Sequence, residues 1–283
     1  MPRTAIITDT DSSLPIDLAE RYNIVQVPII IQFGEETLRD VYDIDNARLF
    51  ARIDREGRLP TTAAPSPGQF IQAYEQAFAS GADSVLCFTI SSEMSAVYQS
   101  AHSATEMFPG KNISVVDTRN LSIGQGFMVL AAAEALAKGA SKDEALAIAI
   151  ETNQHCHLFA ALSTLKYLAM SGRVGHLAAG VAGLLDVKPI LSTIDGKLQM
   201  LERVRTQRKS WERVIELAGE AAAGKGIERM ALLHVNAGDP AKEFEKQVSK
   251  ALPCPEIQFI EMNPGLSIHS GAGLVGVVFI TEK

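Results

Sequence analysis

The sequence predicts an α/β fold of two lobes. The N-terminal lobe carries a mostly parallel sheet with crossover helices, and the C-terminal lobe carries a mixed sheet. Three observations predict it. Short apolar runs alternate with helical patterns through the first half, as in βαβ units. Asp195-Gly196 between two β-rich runs marks an antiparallel hairpin in the second half. A chain of 283 residues is long for one domain and comfortable for two.

Each element has its own signal. Ala5 to Thr8 is a short β-rich run, and Pro15 to Tyr22 has apolar positions at helical spacing. Val25 to Phe33 is β-branched and extended. Asn46 to Ile53 is helical and stops near Gly57; Phe70 to Ala79 is helical and stops at Gly81. Val85 to Ile90 and Ile113 to Asp117 are strands on either side of a helix, Ala96 to Phe108, that Pro109-Gly110 ends. Gly126 to Lys138 is a helix stopped by Gly139. In the second half, Val187 to Ile194 and Lys197 to Val204 form the hairpin. Trp211 to Ala222 and Lys242 to Leu252 are helices, and Met230 to Val235, Glu256 to Glu261 and Leu274 to Ile280 are strands. The pattern changes near Leu158 to Leu162, which predicts an N-terminal domain over 1–160 and a C-terminal domain over 161–283. No linker marks the change, so the halves are expected to pack tightly.

Composition narrows the function. Lysine and arginine number 26 and aspartate and glutamate 33, a net charge of −7. An acidic balance argues against nucleic acid and against an anionic membrane as partners. No run reaches about 18 apolar residues, so no stable membrane insertion is expected. Three scattered cysteines, Cys87, Cys156 and Cys254, lack metal or redox spacing and fit a reducing cytoplasm. The charge at Arg3 comes too early for a signal peptide.

Several motifs invite chemistry. Gly271-Ala-Gly273-Leu-Val-Gly276 matches the dinucleotide-binding glycine pattern, but no helix and second strand follow. The glycines are better read as a tight approach to the last strand. His155-Cys156-His157 cannot converge on one metal ion, because neighbours diverge on a helix and face opposite sides on a strand. Asp9-Thr10-Asp11 after a short strand has two readings. One is a polar strand end and capping turn. The other is the paired-carboxylate nucleophile of a Mg²⁺-dependent haloacid-dehalogenase-like phosphatase.

Three polar segments stand at ends of regular elements: Thr61 to Gly68, Ile90 to Tyr98, and Ile268 to Gly271. In open α/β sheets, ligands collect where strands end and helices begin. Amides at a helix start favour an anion. The hydroxyls of Thr62 and Ser95, the His269 imidazole and a helix N-terminus suit one carboxylate. They supply too little charge for a di- or triphosphate. Taken singly, Thr62 and Ser95 read as plain helix caps and His269 as a core histidine.

The chain resembles the DegV family of bacterial fatty-acid-binding proteins nearly end to end. The likeness runs through Ile7-Thr8-Asp9, Thr62-x-x-Pro65-Ser66-Pro67, Ser91-Ser92-x-x-Ser95-x-x-Tyr98-Gln99-Ser100-Ala101 and Val116-Asp117-Thr118. It continues in Gly172-Arg173-Val174-Gly175, Leu184-Leu185-x-Val187-Lys188-Pro189-Ile190, Arg203-Val204-Arg205-Thr206 and His269-Ser270-Gly271-x-Gly273. Each motif is weak alone; the ordered set is specific. The resemblance implies two α/β lobes with a ligand tunnel at their interface, holding a palmitate-like long-chain fatty acid. It implies no catalytic residue, no metal and no cofactor besides that lipid. It assigns the carboxylate to Thr62, Ser95, the Ala96 backbone N–H and His269. It also implies a partner, the catalytic subunit of a fatty acid kinase, with Arg173 serving that encounter. The sequence departs from the family pattern at Ala63-Ala64, where Ser-Gln is usual, and at Ala96-Val97, where Gly-Thr is usual. Ser270-Gly271-Ala272 stands where Thr-Gly-Pro is common. The hydroxyls and the histidine assigned to the carboxylate are all present.

Overall fold

A computed structural model of the chain describes residues 3–173 and 187–283. Two compact units emerge: Met1–Asp43 with Thr62–Gln154, and Ile44–Thr61 with His155–Lys283. A split into consecutive halves at 160 differs from this in two respects: the second unit resumes at His155, and it also takes residues 44–61. The segment 44–61 leaves the first unit's sequence and packs in the second.

In chain order the first unit has β1 (Thr4–Asp9), α1 (Ile16–Arg21), β2 (Val25–Val27), β3 (Ile30–Phe33) and β4 (Glu36–Arg39). Then α2 (Asn46–Glu56) belongs to the second unit. The chain continues with β5 (Thr61–Ala63), α3 (Pro67–Ala79), β6 (Ser84–Thr89), α4 (Val97–Ala104), β7 (Asn112–Asp117), α5 (Ser122–Ala137) and α6 (Lys142–Gln154). Among the described residues β2-β1-β6-β7 form one sheet, parallel throughout. Its order reverses between β1 and β6, the kind of switch point at whose carboxyl ends open α/β sheets bind ligands. Pro28 has no N–H to give a ladder, and the run read as one strand breaks there. Its second part, β3, joins a small sheet of order β4-β3-β5.

Helix α5 is buried on nearly every side and packs against α6. It starts at Ser122, ahead of the predicted Gly126, with two glycines in its first turns. A Cβ on Gly124 would lie 2.5 Å from Asn120 Oδ1, and one on Gly126 would lie 2.8 Å from the Ser12 carbonyl. These glycines serve close packing rather than helix termination.

The second unit contains β8 (Cys156–Ala161), α7 (Lys166–Met170), β9 (Lys188–Ile194), β10 (Lys197–Val204) and α8 (Gln207–Ala222). It ends with β11 (Ile227–His234), α9 (Gly238–Ala251), β12 (Ile257–Glu261), α10 (Pro264–Ser270) and β13 (Val275–Thr281). Its sheet runs β10-β9-β8-β13-β11-β12, antiparallel except for the β11–β12 pair. This is the mixed sheet expected. The β9–β10 turn has Asp195 at φ 51° and Gly196 at φ 77°, as the Asp-Gly signal predicts. Phe159, Val275, Val277, Phe279, Met230 and Leu232 from its strands form the core with α8 and α9.

Candidate functional site

The carboxyl ends of β1 and β6 carry the first unit's polar residues. Asp9 closes β1 and is fully buried. Its Oδ1 accepts the Asp11 N–H at 3.0 Å and caps the 3₁₀ turn over Thr10–Ser12. Its Oδ2 accepts the Ile90 N–H at 2.9 Å and Gln125 Nε2 at 3.1 Å. Burial lifts the carboxyl up to about 7, against the pull of these donors. Asp9 is thus a brace that ties β1 to the loop after β6 and to α5. The capping-turn reading of Asp9 describes this geometry. A phosphatase nucleophile needs a carboxylate open to metal and substrate, and Asp9 has no exposed surface. Asp11 is 6% exposed. Among the described residues no three His, Cys, Asp or Glu side chains gather as a metal site.

The loop from Ile90 to Ala96 is braced from three sides. Asp9 holds Ile90, the Asn120 carbonyl accepts the Ser91 N–H at 2.9 Å, and Asp117 accepts the Ser92 N–H at 3.1 Å. Within the loop, the Ser91 carbonyl accepts the N–H groups of Met94 and Ser95 at 3.0 and 3.1 Å. Ser95 is half-buried and is not the cap of α4. That position is Ala96, which is exposed and caps with no side chain. An uncapped helix start with a hydroxyl beside it can accept an anion's oxygens. Val97, where a threonine is usual, is fully buried and packs into the core.

Thr62 lies in the middle of β5 and is half-buried. It caps no helix either. The cap of α3 is Ser66, whose N–H is accepted by Gln69 Oε1 at 2.9 Å in a capping box. The plain-cap reading therefore fails for both hydroxyl residues.

His269 sits in α10, a helix the sequence reading missed because Pro264-Gly265 and polar residues resemble a loop. Burial, and then the positive charge of Arg173, push its imidazole down to about 4. It is therefore neutral at pH 7 and gives one N–H. Arg173 is exposed, and its Nη1 donates to the Ser171 carbonyl at 2.9 Å. Val174, Gly175, Leu184 and Leu185 of the family-like motifs lie outside the described residues. The final glycines are explained by packing. Gly271 and Gly273 have φ of 79° and 85°, and added Cβ atoms would collide with the Tyr167 ring and the Ser163 hydroxyl. A Cβ on Gly276 would lie 2.9 Å from the Phe159 carbonyl. This is the tight approach to the last strand read from the sequence.

Thr62, Ser95 and Ala96 belong to the first unit, His269 and Arg173 to the second. Asn120 and Gln125 were not singled out from sequence, and Asp117 only within the family-like run Val116-Asp117-Thr118. Gln125 had one legible signal, an amide just before the long apolar run 127–133.

A family model described as "Uncharacterised protein, DegV family" matches residues 3–282. A DegV domain-containing protein of Caldanaerobacter subterraneus is 31% identical over 279 residues, covering 99% of each chain. The structure of a DegV family protein from Thermus thermophilus, described by its fatty acid binding, is similar at TM-score 0.92 and 32% identity. It covers 99% of this chain and 100% of that one. DegV of Bacillus subtilis, described as a fatty acid binding protein, is similar at TM-score 0.90 and 26% identity over the whole of both chains.

Proposed function

The chain belongs to the DegV family, and from that premise we propose that it binds one long-chain, palmitate-like fatty acid and does no chemistry itself. The observation that carries this reading is the likeness, over nearly the full length, to the Thermus thermophilus protein described by its fatty acid binding. The site supports it. Ser95 stands beside an uncapped helix start on a loop that Asp9, Asp117 and Asn120 hold in place.

The carboxylate is assigned to the hydroxyls of Thr62 and Ser95, the Ala96 N–H and the neutral imidazole of His269, as the family resemblance implies. Energetics agree. Each buried methylene contributes about 0.8 kcal/mol, so roughly ten contribute about 8 kcal/mol gross. Association costs offset part, and the hydrogen-bonded carboxylate restores some. A net near −8 kcal/mol is roughly micromolar binding. A buried carboxylate without donors would forfeit much of this, so the polar end is required. We extend the reading to a cytoplasmic carrier that presents the lipid carboxylate to a kinase subunit, with Arg173 at that encounter. No helix among the described residues is long and apolar enough to cross a membrane.

The test is mass spectrometry of an organic extract of purified protein, with Ser95→Ala and Thr62→Ala alongside. A near-stoichiometric fatty acid that falls in both variants is expected. Each substitution should weaken palmitate binding by about 1.5–3 kcal/mol, the range for a hydrogen bond to a charged group. Unchanged affinity in both sinks the assignment. A wild-type protein that neither retains lipid nor binds added palmitate sinks the carrier reading.

A further inference from the structure

Helix α10 has seven residues and carries His269 next to its last position. A helix that short is not stable on its own hydrogen bonds, so its place must be set from outside. Two contacts set it, one before its start and one after its end, and both lead to α2.

Before the start lies Met262. Its carbonyl accepts Asn46 Nδ2 at 2.7 Å and the Ser267 hydroxyl at 3.1 Å. Its N–H donates to the His234 carbonyl at 2.9 Å, which anchors it to the end of β11. Asn46 is the first residue of α2 and is 4% exposed. Its Oδ1 has no partner among the described residues. A buried amide with one end unsatisfied lowers stability relative to an apolar residue of similar size. Its retained contribution here is the bond to Met262. After the end lies Gly271, whose backbone packs so closely on the Tyr167 ring that no Cβ fits between them. Tyr167 in turn meets Phe50 of α2 edge-on, ring centroids 6.2 Å apart.

We propose that Asn46 is a positioning residue for His269: its amide sets where α10 begins, and so where the imidazole stands. The proposal rests on the reading of His269 as a donor to the fatty-acid carboxylate. It also gives the segment 44–61 a task in the second unit. That segment brings α2 to α10, with Asn46 at one end of the shorter helix and Phe50, through Tyr167, at the other.

The test is a double-mutant cycle on the full chain with palmitate as the probe, joined to an NMR titration of the His269 imidazole in lipid-free protein. Asn46→Ala should weaken palmitate binding about five- to tenfold. When His269 is already alanine, the same change should weaken it less than about twofold, because the two residues act as one unit. The imidazole titration should move up toward the ordinary histidine range as a loosened helix admits water. Asn46→Asp keeps the shape but has no N–H to give, and should behave as the alanine variant. Asn46→Ser keeps a donor and should recover part of the affinity. Equal weakening in both backgrounds makes Asn46 a general structural residue and overturns the proposal, as does an unmoved titration. If His269→Ala alone binds palmitate like the wild type, the carboxylate reading beneath the proposal fails, and that is visible before Asn46 is changed.

Discussion

In the first unit the titratable groups that burial shifts are acids; in the second they are three imidazoles beside two acids, Tyr167 and Cys254. Burial lifts Asp9 up to about 7 and Cys87 up to about 12, and it raises Tyr74 as well. In the second unit burial lowers His157, His234 and His269. Both units therefore favour the uncharged form of what they bury, and the Asp9 carboxyl of one and the imidazoles of the other move in opposite pH directions. The difference follows from how each holds its candidate residues. The first unit braces a loop with carboxyl groups from strand ends and the Asn120 backbone carbonyl, so it needs acceptors for N–H groups. The second holds a short helix against neighbouring helices, so it needs packed rings and one amide.

The largest effect that would break this comparison is at Asp9. Asp9→Ala removes the acceptor of three N–H donors, those of Asp11, Ile90 and Gln125. Each buried donor left unpaired costs about 1–3 kcal/mol, so a loss of roughly 3–5 kcal/mol is expected on partial relaxation. Urea unfolding reads it. Amide exchange should place the loosening in β1, β6 and the Ser91–Ser95 loop. A loss under about 1 kcal/mol would show that Asp9 is no brace.

A pH scan sharpens the comparison with a smaller effect. The folded pKa of Asp9 lies above its unfolded value of 3.8, so its contribution is full below that value and is lost as pH rises through about 7. The folded pKa of His269 lies below its unfolded value of 6.5, so its contribution is present above 6.5 and is lost as pH falls toward about 4. His157 and His234 act in the same direction as His269. From pH 5.5 to 8 the first unit should loosen and the second should tighten. Intrinsic-rate-corrected exchange at Ile7 and Cys87 should become faster and at Met230 and Val277 slower, each by roughly tenfold. Slopes of the same sign in both units would remove the distinction.

Much of this was legible in the sequence, for local reasons. The βα alternation gave away the parallel sheet, and Asp195-Gly196 gave away the hairpin, because both signals lie within a few residues. The Ser91–Ser95 loop showed itself as a polar run between a strand and a helix. What stayed hidden depends on distant partners. Asp9 and Ile90 are 81 positions apart, and no periodicity reports that bond. The packing of α2 in the second unit shows only in contacts such as Asn46 with Met262, 216 positions away. Helix α10 was missed because Pro264-Gly265 and its polar neighbours resemble a loop, and α5 begins at Ser122 rather than Gly126, with Gly124 and Gly126 in its first turns, where the missing side chains make room for neighbours.

The smallest effect concerns which cause governs His269. Burial is the larger influence on its imidazole and the Arg173 charge the lesser. Arg173→Ala should therefore raise the imidazole pKa by less than about one unit, leaving it neutral at pH 7. Palmitate affinity at neutral pH should then stay within about twofold, because the same single N–H is offered to the carboxylate. Turnover by a partner kinase should fall if the exposed guanidinium serves the encounter proposed for it rather than the lipid. An imidazole that returns to near 6.5 would show that charge rather than burial keeps it neutral. The second unit would then differ from the first in cause as well as in sign, with an exposed arginine doing what desolvation does at Asp9.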